Sequence, residues 1–237
     1  MKLIVDNICK KFEGKVVLDH ASFEFESGKI YGLLGRNGAG KTTFFNCLNE
    51  DIKKDEGTCL LMDESGNQRE LGLEDLGYVL STPMVPDFMT GRELVSFFLD
   101  INKKKIQDVK PVDWYLDLVA LQEDSRDLLI KDYSHGMKNK MMMLLTIIAN
   151  PSVWMLDEPL TSFDVVVADE MKKLLRSLKG DRIIIFSTHV MELATSLCDE
   201  IVLLQHGKLS KVEKGSETME EFEEKIIELL KEGGTEE

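Results

Sequence analysis

The chain has 237 residues, 43% of them hydrophobic and 30% charged, and its 43 acidic side chains against 29 Lys and Arg give a formal net charge of −14. That length builds one large domain or two small ones with ample core. The acidity argues against nucleic acid as a partner, since such binding rests on Lys and Arg neutralising phosphates, and against unaided adhesion to an anionic membrane.

Cys9, Cys47, Cys59 and Cys198 are scattered, without a C-x-x-C spacing or a nearby His pair. They read as reduced thiols of a cytosolic protein, neither a disulfide framework nor a zinc site. Asp6 arrives too early for a signal peptide, and no apolar run approaches the roughly 18 residues of a membrane span. Work at a membrane would need another chain to bring the protein there.

Residues 3–5 and 16–18 read as strands, and 21–25 alternates Phe23 and Phe25 against Ser22 and Glu24, as a half-buried strand does. Ser27-Gly28 turns the chain into the apolar run 30–34. Directly after it stands Gly35-Arg36-Asn37-Gly38-Ala39-Gly40-Lys41-Thr42-Thr43, a G-x-x-x-x-G-K-[ST] loop with a buried strand before it and a helix after it. A triphosphate needs several backbone N–H groups aimed at it, so the chain must curl without Cβ atoms in the way, and Gly35, Gly38 and Gly40 meet that need. Asn37, Ala39 and Thr43 complete the cradle. The helix opening near Lys41 adds its positive end. Lys41 is placed to reach the β- and γ-phosphates, and the Thr42 hydroxyl to hold Mg²⁺.

Residues 55–57 form a turn, 59–62 a strand, and a polar loop runs through Glu70 to a short strand at 78–80. The pattern then changes. Thr90-Gly91-Arg92-Glu93 spells a capping box, opening a helix that buries Leu94, Phe97 and Phe98. Lys103 to Lys105 form a solvated loop, and a second helix covers 112–121, so a mostly helical block over 83–138 interrupts an alternating α/β chain. A Met-rich helix over 137–150, whose Met stripe reads as core, ends before Pro151. There follow a buried strand (153–156) running into Asp157-Glu158-Pro159, a helix (164–178), a strand (183–186), a helix (190–197) and a strand (201–204). His206-Gly207 turns into a last short strand. The Glu-rich tail, with Phe222, Ile226, Ile227, Leu229 and Leu230, reads as an amphipathic surface helix. This alternation predicts a mainly parallel sheet with helices on both faces and ligands at the strands' C-terminal ends.

The carboxylates at the end of an apolar strand are the natural partners of the glycine loop. Magnesium takes one or two carboxylates plus phosphate oxygens, which suits Asp157. Glu158 is then placed to orient and polarise the water attacking the γ-phosphate. His189, after the next strand in Ser187-Thr188-His189, would reach the γ-phosphate from the same sheet edge.

One further stretch, Tyr133-Ser134-His135-Gly136-Met137, precedes the helix leading to Asp157 and resembles the Leu-Ser-Gly-Gly-Gln signature of ATP-binding-cassette (ABC) ATPases. Together with the phosphate loop, the paired acids and the His, the resemblance covers essentially the whole chain. It implies an α/β P-loop NTPase core with a mainly parallel sheet, an N-terminal antiparallel β subdomain and an inserted helical subdomain at 83–138, all within one domain spanning 1–237. In that family two such domains sandwich two ATP molecules, so Ser134 and Gly136 would complete the site of a second copy, forming an ATP-induced homodimer. The resemblance also places Phe12 as the aromatic that stacks on adenine, Asp164 as the aspartate of the loop before the next helix, and a transmembrane permease subunit against the helical block. The protein would then sit in the cytoplasm, peripherally on the inner face of the cell membrane, using ATP and Mg²⁺.

Two motifs depart from the family pattern. Ser81 stands where a glutamine usually contacts metal or water, and His135 and Met137 replace Gly and Gln of the signature. The Tyr-Ser-x-Gly-Met spelling, with Thr-Gly-Arg-Glu upstream, resembles bacterial exporters of drugs, peptides or lipids more than nutrient importers. A soluble ABC-type ATPase without a transport role is the alternative; it would call for a second cassette, a coiled-coil insertion or a basic face. A small-molecule kinase would need an acceptor site and would leave the signature unexplained.

Overall fold

A computed structural model describes residues 1–106, 108–160, 163–216 and 218–232. The chain opens with a long hairpin, β1 (Lys2–Phe12) and β2 (Lys15–Glu26). Its two-residue turn is Glu13 and Gly14, at φ 44° and 87°, the paired left-handed positions that match the twist of flanking strands. The three strand fragments expected here are parts of this one hairpin. Register shifts between Val5 and Lys11 interrupt the two-residue alternation by which a strand is read.

β1 also pairs with β4 (Glu56–Met62), and β4 with β5 (Gln68–Glu70), giving an antiparallel sheet of order β2-β1-β4-β5. β4 begins earlier than expected because the turn-like Gly57, at φ 94°, belongs to the strand; a Cβ there would lie 2.4 Å from the Asn7 carbonyl oxygen. β5 occupies the stretch read as a polar loop. Its three residues are all exposed, so no apolar periodicity marked it.

The second sheet contains β3 (Lys29–Leu34), β6 (Leu76–Val79), β7 (Val153–Asp157), β8 (Ile183–Thr188), β9 (Glu200–Gln205) and β10 (Lys208–Val212). Its order is β10-β9-β3-β8-β7-β6, parallel throughout except for β10 at the edge. The continuous apolar runs follow from burial on both faces. Trp154, Leu156, Ile184 and Phe186 enter one core, and Val153, Met155, Ile183 and Ile185 the other.

The second core lies between this sheet and the antiparallel one, with α1 (Lys41–Leu48) supplying Phe44 and Phe45. The first is covered by α2 (Gly91–Asn102), α3 (Val112–Leu118), α4 (His135–Ala149) and α5 (Val165–Leu178). α6 (Met191–Leu197) and α7 (Met219–Glu232) complete the fold, with Phe222 and Ile226 of α7 buried in a third cluster. The helical block is therefore continuous with the α4–sheet core.

The capping box forms as read: Thr90 Oγ1 accepts from the Glu93 N–H at 3.1 Å, and Glu93 Oε2 accepts from the Thr90 N–H at 2.9 Å. α2 buries Leu94, Val95 and Leu99, while Phe97 is 51% exposed, against expectation. Residues 94, 95 and 99 define the inner face, which leaves Phe97 on the opposite side. α3 stops at Leu118, short of 121, because Ala120 adopts φ 48° and breaks the helical path.

Candidate functional site

Parallel pairing decides where the chemistry meets. Leu33 and Asp157 both lie opposite Ser187, so the ends of β3, β8 and β7 are level. The glycine loop, the paired acids and His189 leave the sheet at that edge.

A cavity of about 350 Å³ opens there, lined by Phe12, Lys15 and Val17 of the hairpin, by Asn37, Gly38, Gly40, Lys41, Thr42 and Thr43, and by Ser81, Asp157 and Glu158. Its volume lies in the range of small-ligand sites, about 300–1,000 Å³. Lys15 and Val17 were not singled out from the sequence. The Glu13-Gly14 turn, which brings Lys15 opposite Phe12, is the signal that could have found them.

The glycines of the loop have separate tasks. Gly38 and Gly40 take φ 81° and 102°, which L side chains rarely adopt. Gly35 is needed for packing: a Cβ would lie 2.8 Å from the Leu204 carbonyl oxygen of β9 and 3.2 Å from the Ala39 Cβ. Its constraint is the neighbouring strand, and neither Gly35 nor Ala39 lines the cavity.

Lys41 is 7% exposed, and its ammonium donates to the carbonyls of Gly35 (2.7 Å) and Arg36 (3.3 Å). Burial lowers its pKa from the ordinary lysine value, with Glu158 and Asp157 opposing that shift. A buried cation beside backbone carbonyls is suited to anionic oxygens entering the same space.

Thr42 Oγ1 donates to Asp157 Oδ2 at 2.8 Å, and Ser187 Oγ donates to Asp157 Oδ1 at 2.5 Å. Both oxygens of this buried carboxylate are thus fixed. The all-oxygen set of Thr42 and Asp157 fits a hard cation such as Mg²⁺, which prefers one or two carboxylates and leaves places for phosphate and water.

Ser187 also accepts from the Glu158 N–H at 3.1 Å, and its carbonyl accepts from the same N–H at 3.2 Å. Glu158 sits at φ 48°, a left-handed conformation costing about 1–3 kcal/mol in a residue other than glycine. These bonds hold it there, and its carboxylate meets His189 Nδ1 at 2.8–2.9 Å. The role of Ser187 was not read from the sequence, because a serine two residues before a histidine carries no distinguishing pattern.

The remaining predicted residues lie outside the cavity lining. Ser134 caps α4, accepting from the Met137 N–H at 3.2 Å, with His135 and Gly136 as the first helical residues on the surface. Asp164 caps α5, accepting from the Val166 and Val167 N–H groups at 3.0 Å.

Comparison with known proteins agrees with this geometry. The family model described as ABC transporter matches residues 18–161. A probable sulfate/thiosulfate import ATP-binding protein CysA of Chlorella vulgaris is 30% identical, over 92% of this chain and 93% of its own. The Nod factor export ATP-binding protein I of Sinorhizobium fredii is 31% identical, over 85% of this chain and 60% of its own. Among solved structures, a dimeric post-hydrolysis state of the ATP-binding cassette MJ0796 bound to ADP and Pi superposes with a TM-score of 0.72 at 18% identity, covering 90% of this chain and all of that one. The chain belongs to the ABC transporter family, as one of its ATP-binding domains.

Proposed function

We propose that the protein is the ATP-hydrolysing motor subunit of a membrane transporter, and that one arrangement carries this reading: a phosphate loop with a buried Lys41, faced across a single cavity by the Thr42–Asp157 oxygen pair and by Glu158, which His189 holds from outside the lining. Phe12 stacks on the adenine. The loop from Gly35 to Thr43 wraps the phosphates, with Lys41 leaving its carbonyl partners for the β- and γ-phosphate oxygens. Thr42 and Asp157 would hold Mg²⁺, with Ser81 at the cavity wall as a further oxygen donor, and the ion would supply charge neutralisation for the phosphates. Glu158 accepts the proton of the attacking water, and His189 holds the Glu158 carboxylate before the γ-phosphate arrives.

The exposed starts of α4 and α5 support a two-copy site, in which Ser134 and Gly136 face the γ-phosphate bound by the partner and Asp164 lies at the junction. The span 1–237 then acts as one ATPase domain, with 83–138 as the helical subdomain that meets a permease subunit. Its last five residues lie outside the described ones. Among the described residues no helix is long and apolar enough to cross a membrane, which suits a cytoplasmic subunit held at the membrane's inner face by that permease. Relatives carry both import and export names, so direction rests on this chain's Tyr133-Ser134-His135-Gly136-Met137 spelling, which favours export.

The test is Glu158→Gln: ATP affinity stays near that of the parent while turnover falls about 10²–10⁴-fold, the usual contribution of a positioned base. Turnover near the parental rate would overturn the assignment. Extraction from membranes only by detergent separates the transporter subunit from a soluble ATPase of the same fold.

A further inference from the structure

Phe12 is 41% exposed at the cavity, and a free ring on a strand end would sample several rotamers. It is not free. Lys10 lies two residues earlier on β1, on the same face, and its ammonium stands 5.1 Å from the centre of the Phe12 ring. That ammonium is fixed from behind, donating to the Lys53 carbonyl at 2.8 Å and to Asp55 Oδ1 at 3.1 Å, and its side chain is only 13% exposed. Asp55 is fastened in turn: its second oxygen accepts from the Lys11 N–H at 2.7 Å, and its own N–H donates to the Cys9 carbonyl at 2.9 Å.

Two backbone ties and two ammonium bonds thus join 53–55 to 9–11, and 53–55 is the segment that leaves α1, the helix whose start cradles the phosphates. The register of β1 against β4 shifts between Asp6 and Cys9, just before these residues.

We propose that Lys10, locked by Asp55, is a positioning residue for the nucleotide base. It pins Phe12 so that the ring receives adenine on the face away from the ammonium. A cation over one face of the ring draws π density toward it and leaves the opposite face a better stacking partner for an electron-rich purine. The link through 53–55 sets the distance between the base platform and the phosphate cradle. The inference rests on the ATP reading of the cavity.

The experiment compares ATP with inorganic tripolyphosphate, which shares the phosphates and lacks the base, by calorimetry in magnesium-free buffer where no turnover intervenes. Lys10→Met weakens ATP about threefold to tenfold, as expected for loss of a cation–ring contact and of ring orientation, and leaves tripolyphosphate within about twofold, which also reports an intact fold. Lys10→Arg, which keeps a cation able to reach both the ring and Asp55, restores ATP binding. Equal weakening of both ligands, parental ATP affinity in Lys10→Met, or an arginine variant as weak as the methionine one would overturn the proposal. A parent chain that binds tripolyphosphate as tightly as ATP overturns it too, whereas one that binds neither overturns the nucleotide reading beneath it.

Discussion

Lys41 carries its charge almost out of reach of water, bonded among the described residues to two carbonyl oxygens. Its folded pKa lies below the ordinary value, so the folded chain holds this proton less tightly than the unfolded chain does. The resulting penalty is fully present below the folded pKa and is relieved as pH rises through it towards the unfolded value. At neutral pH the buried Lys41 ammonium is therefore a source of instability in the nucleotide-free protein. Lys41→Met is expected to raise the melting temperature of the nucleotide-free protein while abolishing the shift that ATP produces. A melting temperature that falls would show that the two carbonyl bonds outweigh the desolvation.

The signature offers a second contrast between neighbouring residues. Ser134 is the N-cap, so His135 is the first helical residue, with ordinary φ, and its exposed imidazole is free to turn aside. Gly136 follows inside the first turn, where, in the proposed two-copy site, a side chain would stand between the helix's N–H groups and a phosphate of the second copy. His135→Gly is expected to stay within about tenfold of the parental rate, since one peripheral charge-assisted contact contributes about 1.4 kcal/mol or less. Gly136→Asp is expected to be inactive through sterics and repulsion. Retained ATPase activity in Gly136→Asp would remove the signature from the reacting site.

At the scale of elements, the segment before α2 displays large apolar side chains to solvent. Met84 and Phe88 are 75% and 76% exposed, whereas Val85 and Met89 pack against the core. Of these four apolar residues, only Met84 and Phe88 form an exposed face. The segment is also held from behind: the Ile130 N–H donates to the Met89 carbonyl at 2.8 Å and the Lys131 N–H to the Asp87 carbonyl at 3.1 Å. Those donors belong to the stretch that ends at Tyr133, whose hydroxyl donates to the Ser125 carbonyl at 2.8 Å. Apolar side chains displayed on a braced loop suit a permease contact. Replacing Met84 and Phe88 together by Ser should leave ATP binding intact and release the protein from membranes carrying its partner. Full retention at the membrane would make the loop a structural feature only.

For the whole molecule, the cavity at the phosphate loop and the starts of α4 and α5 are separate surfaces, and Val165 and Val166 are 87% and 69% exposed. A second copy would cover both. If ATP closes such a dimer and hydrolysis opens it, Glu158→Gln should run as a dimer on gel filtration with ATP and as a monomer without it. A variant that stays monomeric at saturating ATP would exclude this closure. The bulk charge of −14 makes specific apolar burial, rather than general attraction, the force that must bring the copies together.

Much of this was legible in the residues themselves. The phosphate loop, the Thr90–Glu93 cap, the Asp157-Glu158 pair and the Ser134 cap are local devices: each is completed within a few residues, by turn chemistry, capping or a strand end, so the string of letters determines it. The alternation of apolar runs likewise fixed a parallel sheet with helices on both faces.

What the string could not decide are contacts made across the chain. Nothing near Gly35 announces that its constraint is the Leu204 carbonyl, nothing near Ser187 that it braces both Asp157 and Glu158, and nothing near Lys10 that Asp55 holds it over Phe12. These follow from strand order and register, in which β9, β3, β8 and β7 lie side by side and a bulge shifts β1. Register is set by packing summed over whole sheets, so only the tertiary structure brought those distant residues within bonding distance.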